Sequence, residues 1–211
     1  IVAALTIPTL MQKTQKQQTV VALKKAYSTL QQAVKLSEID NGSVDDWEFD
    51  VSKLSSQNFY ETYLKPYLSV SKEYFNVSSI DNLKYIGLNG LNLSFYSFFH
   101  AGTPKIILND GTLIAISDVG TNFKIIYVDI NGLKKPNQEG KDLFLFAIQP
   151  NYGVTPYGFG NTISGSSFGT TYNRDTIINT SNLGCKKNSE GLWCSALIMS
   201  DGWEMKDDYP W

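Results

Sequence analysis

The first forty residues constrain this chain more than any other stretch. Val20, Leu23, Tyr27, Leu30 and Val34 recur at alternating spacings of three and four, which places all five on one face of an α-helix. Ala22, Ala26 and Ala33 flank that stripe and let a partner surface approach closely, while Lys13, Lys16, Lys24, Lys25 and Lys35 lie mostly off it. No Gly or Pro falls between Thr9 and Asn41. Asn41-Gly42 supplies a stop, because Gly tolerates the left-handed backbone common at helix ends. Forty helical residues make a rod of roughly 55–60 Å, longer than packing within one domain requires.

The rod divides into two halves. Ile1 to Met11 carries only Ile, Val, Ala, Leu, Thr, Pro and Met, without a charge. A bilayer takes about 20 such residues, so this stretch is expected to be the end of a span that begins before Ile1. Pro8 removes one helical hydrogen bond and is expected to kink or loosen the rod. Periodicity alone also admits a buried core helix with a hydrophobic start. A domain hung on a rod with a lipid-soluble tip points to assembly or anchoring rather than catalysis.

Beyond the rod the chain reads as one β-rich globular unit. Residues 54–68 form a short helical pattern ending near Lys65-Pro66. Residues 91–99 alternate imperfectly and are read as a strand. Residues 105–108 and 112–117 flank Asn109-Asp110-Gly111, a strong hairpin signal. Residues 124–130 and 143–148 are further strands. Short turns between sequential strands make an antiparallel meander, whose apolar face would cover the stripe from Val20 to Val34. Residues 151–182 are rich in Gly, Thr, Ser, Asn and Tyr and are expected to be loops and short elements suited to recognition.

Charge excludes one class of partner. With 18 basic and 20 acidic residues the net charge is −2, and nucleic-acid binding usually shows as a clearly basic domain. Cys185 and Cys194 admit three readings: a disulfide, two metal ligands or two free thiols. No His or third Cys lies nearby to support zinc. A disulfide is favoured; it would contribute roughly 2–3 kcal/mol in the chain-entropy view and implies an oxidising compartment.

Ile1-Val2-Ala3-Ala4-Leu5-Thr6-Ile7-Pro8, a Gln/Lys-rich stretch, and then Ala26-Tyr27-Ser28-Thr29-Leu30-Gln31-Gln32-Ala33 together resemble the N-terminal segment of type IV pilins and type II secretion pseudopilins. In that family a prepilin peptidase removes a short leader and the new N-terminus is methylated. The resemblance implies an α+β fold in which a long N-terminal helix packs on an antiparallel sheet, with a C-terminal disulfide-closed loop. Residues 1–40 would be the helix and 41–211 the head. Ile1, Val2, Leu5, Ile7, Pro8 and Leu10 would lie in the inner membrane and later in a filament core, while Val20, Leu23, Tyr27, Leu30 and Val34 would pack on the head. The implied partners are copies of itself or related pilins, the inner membrane, and the assembly platform and secretin machinery. The head would be periplasmic or on the surface. Five Lys and no acid in residues 1–37 run against the positive-inside rule; the family's orientation and the cysteine pair favour an exported head.

Residues 128–142 resemble a stretch of many pseudopilin-like proteins, and major pseudopilins bind calcium in a loop of comparable composition. Asp129, Asn131 and Asp142 are the candidate calcium ligands, since calcium takes hard oxygens. The simpler alternative is turn chemistry, with Asn-Gly and Pro-Asn making turns and Asp142 capping one. The spacing does not match an EF-hand.

No catalytic motif emerges. The only histidine, His100, ends an aromatic run and is read as structural. Gly165-Ser166-Ser167-Phe168-Gly169 lacks the strand-to-helix setting of a nucleophile elbow. Asp45-Asp46 and Asp207-Asp208 are read as solvated turns, and Trp203, Tyr209 and Trp211 as docked aromatics. The competing function is a membrane-anchored binding protein whose aromatic-rich head recognises a glycan or secreted substrate without polymerising.

Overall fold

The computed structural model describes residues 2–93, 97–117, 121–159 and 173–211, with side chains described from Leu10 onward except at Ser97. Helix α1 runs unbroken over Val2–Asn41 and stops at Gly42, whose φ of +77° is the left-handed value the sequence requires there. Pro8 lies inside that helix. Helix α2 (Ser56–Tyr63) is capped by the Ser55 side chain, which accepts from Asn58 N, and runs into a 3₁₀ turn at Lys65–Tyr67 with Pro66 in its first turn.

Six strands follow: β1 (Val70–Tyr74), β2 (Lys105–Leu108), β3 (Leu113–Ile116), β4 (Lys124–Asp129), β5 (Leu143–Gln149) and β6 (Gly153–Pro156). They pair in chain order, every pair antiparallel. Every residue of β3 and β5 is buried. Layers therefore cover both faces of the sheet, not one. That is why these strands read as continuous apolar runs instead of alternating. Two short helices, α3 (Arg174–Asn179) and α4 (Cys194–Ser200), close the chain, with α4 lying on β5 and β6.

The stripe on α1 packs as its spacing demands. Val20, Leu23, Leu30 and Val34 are buried, and Tyr27 is half-buried with its ring stacked 5.4 Å from Phe146 of β5. Ala26 and Ala33 are buried inside the stripe, and their small size lets the helix sit close to the head.

Three elements depart from the sequence reading. The described residues of 91–99 hold no strand: Asn92 makes one isolated bridge to Ile86, and Ser97–Phe99 is a 3₁₀ turn that places Phe98 edge-on against Tyr85 and Tyr127, while residues 94–96 lie outside the described residues. Strong β propensity here yields to burial of aromatic rings against neighbouring layers. The edge strands β1 and β6 carry little apolar signal. β1 is VSKEY, exposed at Ser71 and Lys72, and β6 ends in Pro156, as suits edges that must not recruit another chain.

Candidate functional site

Two regions carry the unexplained chemistry: the outer face of α1 and the loop between β4 and β5. Among the described side chains of α1, from Leu10 onward, burial begins at Val20. Before that point Leu10 and Met11 are 67% and 58% exposed, and later Val21 and Ile39 are 69% and 78% exposed. At 100° per residue, Leu10, Val21 and Ile39 fall on one line, roughly opposite the buried stripe. A groove of about 1170 Å³ runs between residues 12–21 of α1 and residues 202–208. Its wall includes Trp203, whose φ of +65° is unusual for a bulky residue. That backbone is held by a hydrogen bond from Trp203 N to Ile198 O (2.8 Å), and the indole lies 5.3 Å from the Tyr27 ring with the Lys24 ammonium 5.8 Å from its centroid.

The β4–β5 loop gathers acids. Asp129 ends β4, and Asp142 precedes β5. Asp129 Oδ1 accepts from Asn131 N (3.1 Å), and Oδ2 accepts from the buried Tyr85 hydroxyl (2.8 Å). Asp142 accepts from Asn137 N (2.7 Å), Gln138 N (2.6 Å) and Asn131 Nδ2 (3.1 Å). Thus Asp129, Asn131 and Asp142 are brought together. The turn makes this compact: Gly132 has φ +73°, and a Cβ there would sit 2.4 Å from Gly111 O. Asp129 and Asp142 are buried, and so is Glu139.

Burial raises all three acids. The Asp129 carboxyl is pushed up to about 8, chiefly by desolvation and then by the charge of Asp142, against the hydrogen bond from Tyr85. Asp142 is raised by desolvation despite three backbone and side-chain donors. Glu139 is raised well above the ordinary carboxylate range by desolvation, then by Asp142 and Glu190. Four acceptors in this loop are buried without a hydrogen-bond partner: Asn131 Oδ1, Asn137 Oδ1 and both oxygens of Glu139. Such orphans are costly and call for a ligand, water or proton.

The donor set suits a hard cation. Asp129, Asp142, the Asn131 and Asn137 amides and the Lys135 carbonyl, which accepts from Asn131 Nδ2 at 3.3 Å, are all oxygen donors. Among the described residues no three His, Cys, Asp or Glu side chains group as a metal site by themselves. A cation here would therefore lean on the amide and carbonyl oxygens. Glu139 and Tyr85 carry no sequence signal that marks them as site residues. Asn137 alone had a signal, in the Pro-Asn turn beside Asp142.

Residues 9–211 match a family of unknown function, DUF6613. The chain belongs to that family. No characterised protein and no solved structure matches it.

In this DUF6613 member the remaining candidates fall as follows. Cys185 and Cys194 form a disulfide with Cα atoms 4.8 Å apart. It packs under the β4–β5 loop: Gly140 has φ +74°, and a Cβ there would lie 3.0 Å from Cys194 Sγ and 3.2 Å from the Tyr209 hydroxyl, which donates to Gly140 O at 2.7 Å. Tyr209 is buried, and Trp211 lines a second groove beside Asn131 and Asp142. Asp208 is not merely a solvated turn, since it pairs with Arg174 at 2.7 Å; Asp45 accepts from Asn151 N. His100 is exposed on the surface after the 3₁₀ turn. Ile1, the side chains of Val2, Leu5, Ile7 and Pro8, and Gly165–Gly169 lie outside the described residues. No helix among the described residues is long and apolar enough to cross a membrane.

Proposed function

We propose that this chain is a pilin-like subunit of a type IV pilus or type II secretion pseudopilus, polymerising through its N-terminal helix. The observation that carries the reading is the division of α1. From Val20 onward one stripe is buried in the head, while residues 10–19, about 15 Å of helix, include no buried residue and expose Leu10 and Met11. A helix that leaves Leu10 and Met11 uncovered among the described residues is suited to packing against other copies. The prepilin-like sequence of Ile1–Pro8 and Ala26–Ala33 and the oxidised cysteine pair support the same reading. In it the head is periplasmic or surface-displayed, the apolar end enters the inner membrane before assembly, and catalysis has no part.

The test is expression of the full chain with a prepilin peptidase and an assembly machinery, followed by shearing and immunodetection of filaments. The reading expects this chain within fibres and expects fibre loss when Leu10 and Met11 become Glu. If the chain never enters fibres while its head still binds a glycan or secreted substrate, the non-polymerising binding protein replaces it.

The β4–β5 loop supports a second, independent assignment: calcium held by Asp129, Asn131 and Asp142, with the Asn137 amide and the Lys135 carbonyl. The orphaned amide oxygens favour it over turn chemistry alone. A melting temperature that does not move between excess Ca²⁺ and chelator removes it.

A further inference from the structure

We infer that the groove beside α1 is the seat of a second copy of this chain, whose basic helix segment docks against the acidic C-terminal lip. The inference rests on the subunit reading above and names the contact that reading leaves open.

Charge accounting leads to it. Residues 1–37 hold five lysines and no acid. Three of the five are engaged within the chain: Lys25 pairs with Asp110 at 2.8 Å, Lys35 with Glu38 at 2.7 Å, and Lys24 lies over the Trp203 ring. Lys13 and Lys16 have no ion pair among the described residues, and both line the groove. At the opposite wall, formed by residues 202–208, Asp208 pairs with Arg174 at 2.7 Å, and Asp201, behind that wall, pairs with Arg174 and Lys206 at 2.7 Å each. Two cations against two carboxylates leave that network neutral. Glu204 and Asp207 remain exposed with no ion pair among the described residues. The groove thus has one wall with two uncommitted positive charges and another with two uncommitted negative charges, and they do not close on each other.

The floor between the walls is apolar. Val20 and Met205 are buried, Val21 is exposed, and Trp203 stands at the edge. An apolar centre inside a charged rim is the ordinary anatomy of a protein interface. The occupant that matches it is present in the chain itself: the free half of α1 offers exposed Leu10 and Met11 for the floor and Lys13 and Lys16 for the acidic lip. A contact joining the helix of one copy to the lip of the next is heterologous. Repeated, it gives an open chain instead of a closed dimer, and opposite charge fixes its register.

The experiment uses the full chain in the assembling system, with two charge-reversed forms. Form one carries Lys13→Glu and Lys16→Glu. Form two carries Glu204→Lys and Asp207→Lys. Each alone should lower sheared filament yield by at least about tenfold. Co-expressed, the two should restore filaments, because the acidic helix of form one meets the basic lip of form two, and the reverse contact also remains complementary. Melting temperatures of both forms should stay close to that of the parent, since all four sites are on the surface. Normal filament yield from either folded form alone overturns the inference while leaving the subunit reading intact. So does failure of the co-expressed pair to recover. Absence of parent filaments overturns both.

Discussion

Replacing Asp129 by Asn should flatten the pH dependence of stability between pH 5 and 8. Asp129 ends β4 with its carboxyl buried beside Asp142, and its pKa is raised to about 8. An unfolded chain has an ordinary carboxylate near 3.8. Between those values the folded state holds the proton that the unfolded state has lost. Folding is therefore penalised progressively as pH rises from the unfolded value to the folded one, and the loss levels off above it. The difference between pH 5 and pH 8 from this one group comes to about 3–4 kcal/mol. Glu139 and Asp142 are shifted in the same direction. Acids whose pKa is lowered, such as Asp110, Asp201 and Glu73, add stability only as pH rises through their ordinary range near 4. They have finished acting by pH 5.

The assay is thermal unfolding followed by circular dichroism in chelator, at half-unit steps from pH 5 to 8. For a domain of this size about 1 kcal/mol moves the midpoint by roughly 2–4 °C, so the parent should lose on the order of 10 °C across the window. Asp129→Asn keeps an oxygen for the Tyr85 hydroxyl, found at 2.8 Å, but cannot ionise. Its curve should be clearly flatter, lying close to the parent at pH 5 and above it at pH 8. With Ca²⁺ present the parent should regain the loss at high pH, because a bound cation favours the ionised form, and the variant should regain less. A parent whose midpoint in chelator rises between pH 5 and 8, or a variant with the same slope as the parent, would refute the reasoning.

Three further outcomes follow from packing. Leu23→Ala removes a fully buried side chain from the α1 stripe and should cost about 2–5 kcal/mol, read by denaturant unfolding, whereas Ile39→Ala on the exposed face should change stability by about 0.5 kcal/mol or less. Reducing Cys185–Cys194, which closes a loop of sequence separation 9, should lower stability by about 2–3 kcal/mol, seen as a lower midpoint in reductant that a Cys185→Ser/Cys194→Ser chain no longer shows. Gly140→Ala combines a left-handed φ with a contact of 3.0 Å to Cys194 Sγ; it should cost more than about 1 kcal/mol and lose part of that penalty when the disulfide is reduced.

What the sequence disclosed and what it hid follow from the range of the interactions. The α1 stripe was legible because a helix encodes its buried face locally, through spacings of three and four. The β2–β3 hairpin was legible through Asn109-Asp110-Gly111, a turn that needs no distant partner. The strands β1 and β6 were not, because edge strands are specified by what must not bind them: the exposed Ser71 and Lys72 of β1 and the Gly153 and Pro156 that bound β6 resemble loop. The described ends of the aromatic run, residues 91–93 and 97–99, depart from strand for the opposite reason. Its residues have high β propensity, yet Phe98 is claimed by Tyr85 and Tyr127, which are distant in sequence. The acidic loop divides along the same line. Asp129, Asn131 and Asp142 stood out as oxygen donors around an Asn-Gly turn. Glu139 did not, because what makes it unusual is burial beneath Gly191 and Tyr209, decided by the last twenty residues of the chain. The groove charges are hidden in a third way. Lys13 and Glu204 are plain surface residues in sequence, and they acquire meaning only when Arg174 and Lys206 have neutralised Asp201 and Asp208. A formal net charge of −2 conceals that arrangement, because it averages a basic helix and an acidic lip that lie on opposite walls of one groove.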